Sequence, residues 1–127
     1  MTPQQKIKHL ILLRAAQFGW GAPSEPITDE NIDAIYQQAD ADDWLQDARN
    51  EIRETGTKTS LPSPFSRHYE SEAVAAQAPD GSWVGWTYWY GGGKYGEPEA
   101  IDWIEDAYDL ACVEEEKLVT VRTFTKQ

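Results

Sequence analysis

Residues 82–96 read "SWVGWTYWYGGGKYG". Trp83, Trp86, Trp89, Tyr88 and Tyr90 are residue types that favour a pleated, half-buried surface, so the first part of the stretch reads as a strand. Successive side chains on a strand point to opposite faces. Trp83, Gly85, Thr87 and Trp89 therefore share one face, while Val84, Trp86, Tyr88 and Tyr90 share the other. The second face is continuously apolar and is the natural floor of a core. The first holds two tryptophans separated by small residues. A domain this small needs its aromatics for stability, so Trp83 and Trp89 are expected to lie buried under N-terminal helices. The alternative leaves them as a flat aromatic patch for a partner.

Working outward, "APDG" at 78–81 has Pro second and Gly fourth, as a type I turn prefers. With "RHYESEAVAAQ" before it, the whole reads as a β-hairpin. Beyond the glycines, Pro98 suits the first position of a helix, which the apolar spacing carries over 98–111. "EKLVTVRTF" (116–124) is rich in β-branched residues and reads as a last strand. A strand–helix–strand crossover would set that strand parallel to the second. Helix 98–111 would then pack on the face of Val84, Trp86, Tyr88 and Tyr90.

Upstream, Ile7, Leu10, Ile11, Leu13, Ala15 and Phe18 mark a helix over 4–18. "FGWGAPSEP" breaks it. Thr28 is a good N-cap for a second helix, with Ile32, Ile35, Tyr36 and Ala39 on its apolar face. Asp40 is placed to cap a third, along which Trp44, Leu45, Ala48 and Ile52 recur. Residues 28–54 fit either one bent helix or two. The fold class is α+β. An N-terminal helical region (1–54) and a connecting loop (55–66) precede a small β-hairpin–helix–strand (ββαβ) unit (67–127), together one compact domain.

The bulk charge narrows the function classes. The 127 residues carry 22 acids against 11 bases, a net charge of -11. Residues 1–20 hold Lys6, Lys8 and Arg14 and no acid, whereas residues 97–127 hold nine acids and three bases. Such a chain is repelled by phosphate backbones and anionic membranes, which argues against direct nucleic-acid or membrane binding and favours a basic partner. No apolar run reaches the length of a membrane span, and the single cysteine, Cys112, suits a reducing compartment. A cytoplasmic protein is expected.

Motifs for chemistry are incomplete. A phosphate loop would need glycine where Tyr88 stands and a serine or threonine after Lys94, where Tyr95 stands. The glycine run therefore reads as a turn permitting positive φ. Ser66, His68, Glu70 and Glu72 gather polar groups without a second histidine or an activated nucleophile. Cys112, set among acidic neighbours, is a poor nucleophile. No catalytic residue, metal ligand or cofactor is expected.

The acids are better organised. On a helix over 98–111, Asp102, Glu105, Asp106 and Asp109 would occupy one half with no basic residue between them. Four charges over about 10 Å of helix would reach roughly half the linear charge density of duplex DNA. Glu114, Glu115 and Glu116 extend this field, and Asp43 and Asp47 add a second acidic stretch. The alternative is a merely solvated face.

The segment from "SRHYES" through "DGSW" and "GWTYWYGGGK" to "VRTF" (66–124) resembles small accessory proteins encoded by bacteriophages and prophages of enteric bacteria. The resemblance implies synthesis in the host cytoplasm and carries no catalytic residue. By class analogy it implies binding and blocking of host nucleic-acid machinery, such as restriction or CRISPR complexes. The leading expectation is a non-enzymatic inhibitor presenting acidic faces to a basic host protein or protein–nucleic-acid complex, in the manner of a DNA mimic. The alternatives are a ligand-binding or enzymatic module built on the aromatic strand and glycine loop, and a structural or morphogenetic phage protein.

Overall fold

A computed structural model describes residues 1–115 and 118–126. Three helices come first: α1 (Pro3–Gln17), α2 (Ile32–Ala41) and α3 (Gln46–Glu54). Four strands follow, β1 (Thr57–Lys58), β2 (Glu70–Gln77), β3 (Trp83–Tyr90) and β4 (Tyr108–Leu110), with a 3-10 turn at Pro98–Ala100. They form one antiparallel sheet in the order β1-β2-β3-β4. The fold class is α+β, with the helices preceding the sheet.

The start of α1 is set by its own sequence. Thr2 caps it, its side chain accepting from the Gln5 amide while Gln5 reaches back to the Thr2 amide, and Pro3 fills the first helical position. Ile7, Ile11, Leu12 and Ala15 face the core; Leu13 and Phe18 stay exposed. Residues 28–54 hold two helices. The first starts at Ile32 with Asn31 at the cap position, because the Asn31 side chain accepts from the Thr28 amide and draws residues 28–31 into a turn. Thr28 is therefore not the cap. Asp40 does not open α3 either; it lies in the last turn of α2, where it accepts from Arg49. The corner between these helices turns through Asp43 at a φ of 60°.

The β2–β3 hairpin is as the turn chemistry predicts. The Gly81 amide donates to the Ala78 carbonyl at 2.9 Å, closing the turn, and Gln77 pairs with Trp83. Eight paired residues on each strand run back to Glu70 opposite Tyr90. The sheet face of Val84 and Trp86 is fully buried, as expected, but its cover differs. It packs in one cluster with Ile7, Ile11, Leu45, Ala48 and Trp103, so α1 and α3 roof the sheet. The indole of Trp86 donates to the Arg53 carbonyl at 3.3 Å and meets the ring of Trp103 at 5.5 Å.

Four further sequence expectations are corrected. Residues 98–111 do not form a helix: a single 3-10 turn is followed by tight turns and then β4. The cause lies in β3. Gly85 leaves a gap in the sheet face, and the side chains of Tyr108 and Leu110 fill it so closely that an added Cβ would stand 2.6 Å from the Tyr108 ring. A helix cannot supply that cover together with backbone pairing to Trp83 and Gly85. Like charges at Asp102/Asp106 and Glu105/Asp109 also weaken the helical alternative, by about 0.2–0.5 kcal/mol a pair.

The last strand is likewise displaced. Residues 118–124 join no sheet, and the start of the expected strand, Glu116 and Lys117, lies outside the described residues. β4 takes its place beside β3 and runs antiparallel, so the ββαβ crossover does not form. Within the 55–66 loop, Thr57 and Lys58 pair with Ala75 and Val74. Gly56 is what permits this approach, since a Cβ there would meet Val74 and Trp86 at under 3 Å. Finally, Trp83 and Trp89 do not lie under the helices. They are half-buried on the opposite sheet face, because the roof occupies the side of Val84 and Trp86.

Candidate functional site

The segment from Glu97 to Leu110 is a loop fastened at four points. Trp103 and Ala107 insert into the core, 3% and 9% exposed. The Gln4 side-chain amide donates to the Glu105 carbonyl at 3.0 Å, and the ammonium of Lys6 donates to Asp109 at 2.6 Å. All four anchors draw the loop against α1 or the sheet. Asp102 makes its own turn by accepting from the Glu105 amide at 3.4 Å. This is a common preference of Asp, whose carboxylate competes with helical bonding.

Between these anchors the carboxylates point outward. Asp102, Glu105, Asp106 and Asp109 are all exposed, as the sequence pattern predicts. They do not form one helical row. Asp109 is held by Lys6, whose own side chain is nearly buried, so that charge is partly neutralised. Asp102, Glu105 and Asp106 have no ion-pair partner among the described residues. Glu114 and Glu115 are exposed further along, and Glu116 lies outside the described residues. Asp43 and Asp47 are exposed at the α2–α3 corner, also without a cation in reach among the described residues.

One feature escaped the sequence reading. A cleft of about 470 Å³ separates Glu99, Asp102 and Glu105 of the loop from Lys8, Tyr36 and Arg49 of the three helices. Its cations are already engaged. Lys8 donates to Asp33 at 3.0 Å and Arg49 to Asp40 at 2.8 Å, and both lie within 6 Å of the Tyr36 ring centre. Arg49 also donates to the Tyr36 hydroxyl at 3.0 Å. Burial raises the Tyr36 pKa, with Arg49 opposing, so the phenol stays protonated at neutral pH. The Asp33 carboxyl is held below its ordinary value by hydrogen bonds from Lys8 and Gln5. With both cations matched by their own aspartates, the loop wall adds three further carboxylates, and the cleft is net acidic. The sequence held no local signal for it, because Lys8 and Arg49 meet Asp33 and Asp40 across separate helices.

Glu70 and Glu72 share the core-side face of β2 beyond the helical roof; His68 precedes the strand and is exposed. Glu72 sits 3.8 Å from Lys58. Burial and the neighbouring Glu70 and Glu72 raise the Tyr90 pKa. Gly91, Gly92 and Gly93 all take positive φ, and Gly92 lies under the Tyr69 ring. The glycine run is thus a packed turn leading to three residues of 3-10 turn, and Lys94 lies 5.6 Å from the Tyr95 ring centre. Among the described residues, no group of three metal-ligating side chains comes together, and no helix is long and apolar enough to cross a membrane. No family model, curated protein or solved structure matches the chain.

Proposed function

We propose that this chain is a non-enzymatic, phage-derived binding protein that presents its acidic loop and cleft to a basic, nucleic-acid-handling host protein and blocks it. The observation that carries the reading is the exposed set Asp102, Glu105 and Asp106, without an ion-pair partner among the described residues, on a loop pinned by buried side chains. Surface carboxylates that serve only solubility are usually interspersed with cations. Here the nearby cations Lys6, Lys8 and Arg49 are already matched to Asp109, Asp33 and Asp40. The net charge of -11 adds long-range attraction for a basic groove. Restriction or CRISPR-type complexes are the concrete class of target that the sequence resemblance supports.

The test is a double charge reversal, Glu105→Lys with Asp106→Lys, chosen because neither side chain makes a hydrogen bond among the described residues. Pull-downs from host lysate with the parent protein should retain a basic protein that duplex DNA displaces and that dissociates as salt rises. The double variant should associate about tenfold more slowly with its unfolding midpoint unchanged. Equal binding by parent and variant, insensitive to salt, would reduce the loop to solvated surface and shift attention to Trp83 and Trp89.

A further inference from the structure

Past the end of α1, residues 20–23 lie beside α2 and leave a groove of about 400 Å³ between them. Trp20 and Pro23 form one wall. The other is a stripe of α2, where Ala34, Ile35 and Ala39 give apolar surface and Asp42 stands at the helix C-cap. Positions three and four apart are neighbours on a helix, so Ile35, Ala39 and Asp42 run in one line along it. Trp20, Pro23 and Ile35 are only half-buried, and Ala34 is exposed. These side chains line one shared hollow, which sets them apart from singly scattered surface hydrophobics.

Charge decides what fits there. Asp42 is the one charged residue of the lining. It accepts from the Gln38 side chain at 3.1 Å, and the exposed Asp43 follows it in the chain. Residues 21–48 hold eight acids and no base. Asp33 and Asp40 meet Lys8 and Arg49 from outside that stretch. Glu25, Asp29, Glu30, Asp42, Asp43 and Asp47 have no ion-pair partner among the described residues. The groove is thus apolar along its length and acidic at one end, within an acidic segment.

We propose that this groove docks a basic amphipathic helix of a partner protein. A large apolar side chain of that helix would seat against Trp20 and Ile35, and a lysine or arginine one turn away would reach Asp42 and Asp43. An amphipathic helix laying its apolar face into a hydrophobic groove is a recurrent mode of recognition, and the apolar stripe of α2 is the surface a second helix packs on. The volume stands near the lower end of the about 300–1,000 Å³ of binding pockets, which suits anchor side chains. An anionic ligand would meet Asp42 with no cation in the lining to offset it. A second copy of the chain, at a net charge of -11, is repelled for the same reason. The surface is separate from the acidic loop, and the inference does not rest on that loop's reading.

Synthetic helical peptides of about 15 residues test it. One is a lysine–leucine amphipathic helix. A lysine–glutamine helix keeps its charge without the apolar face, and a glutamate–leucine helix keeps the apolar face with the charge reversed. Titrated into the isotope-labelled full chain at physiological salt, the lysine–leucine peptide should shift the Trp20 indole and the amides of 20–23 and 34–43 together. The other two should bind about tenfold more weakly or worse. Ala34→Arg fills the groove from an exposed helical position. Asp42→Asn with Asp43→Gly removes its charges, and glycine suits the positive φ of residue 43. Each variant should weaken the lysine–leucine peptide about tenfold with Tm unchanged, whereas Glu105→Lys with Asp106→Lys should leave it within about threefold. No binding, equal binding by either control peptide, binding that survives Ala34→Arg, or shifts confined to residues 99–106 would overturn the proposal. So would a dimer of the parent that Ala34→Arg dissociates, since the groove would then belong to a second copy. The peptides report on this groove without the host partner, so its failure leaves the acidic-loop reading standing, and the reverse holds.

Discussion

Replacing Trp103 by alanine should unfasten the acidic loop and cost a large part of the protein's stability. Trp103 is 3% exposed and lies against the fully buried Trp86, with ring centres 5.5 Å apart and planes at 49°. A tryptophan of this burial hides about 150–250 Å², worth roughly 4–6 kcal/mol gross at about 25 cal/mol per Å². Partial collapse of the site brings the observed range for such truncations to about 3–5 kcal/mol. At this chain length a kcal/mol corresponds to about 4 °C in Tm, so a fall of roughly 12–20 °C is expected. The assay is urea unfolding followed by far-UV circular dichroism, with a double-mutant cycle against Trp86→Phe. The pair should couple by about 0.5–1.5 kcal/mol, since offset aromatic rings in contact gain that much beyond area burial. Partner binding should weaken even in conditions where the variant is fully folded, because Asp102, Glu105 and Asp106 are placed by this anchor. A loss below about 1 kcal/mol with no coupling would refute the reasoning, since Trp103 would then not occupy the core and the loop would not be docked as described.

Two further outcomes are expected. Arg53 is 5% exposed, donates to the Trp89 carbonyl at 2.6 Å and lies 5.1 Å from the Tyr88 ring centre, while its Nε has no partner among the described residues. Arg53→Ala should cost about 2–4 kcal/mol in urea unfolding, and Arg53→Met about half of that, because methionine keeps the apolar stem and removes the unsatisfied Nε; a neutral Met variant would mean that the Trp89 bond adds no net stability. Burial lowers the His9 pKa, with Asp80 opposing. The unfolded chain therefore binds that proton at higher pH, so the contribution is full above the unfolded value and is lost as pH falls through the lower folded one. Stability should be greater at pH about 7.5 than at about 5.5, and His9→Gln should flatten the difference; an unchanged slope in that variant would assign the dependence elsewhere.

What could be read from the sequence divides along a physical line. The β2–β3 hairpin was legible because its determinants are local: Pro79 and Gly81 shape the turn, and alternation over Trp83–Tyr90 fixes the faces. α1 was legible for the same reason. Residues 98–111 were misread because an amphipathic helix and an anchored loop both place Trp103, Ile104 and Ala107 inward and the acids outward. The choice was made far away in sequence, by the gap at Gly85, by Trp86, and by Gln4 and Lys6. Gly85 inside an aromatic strand was the available signal, since a glycine there often marks close approach of another chain segment. The same holds for Gly56 and the short β1. Exposure of the site carboxylates followed from their polarity and was foreseeable; the pairing of Asp109 with Lys6 was not.

The loss of the helix changes what the acidic segment can do. A helix over 98–111 would hold its carboxylates in a row about 10 Å long on a surface free to fray. The anchored loop instead breaks the row, spends Asp109 on Lys6, and turns Asp102 into a local hydrogen-bond acceptor. Its charge density is therefore less like that of a regular phosphate backbone. In return the loop gains order before any partner arrives, because Trp103, Ala107, Gln4 and Lys6 hold it at every second residue from Trp103 to Asp109. Ordering a loop on binding subtracts from affinity, so a loop already fixed keeps more of its electrostatic attraction as binding free energy. Glu99, Asp102 and Glu105 are exposed and also line the cleft, so a long cationic side chain entering it would pass three acidic residues. On the proposed reading, recognition rests on a few placed charges beside a cavity, and single-site changes at Asp102 or Glu105 should matter more than an equal change in net charge elsewhere.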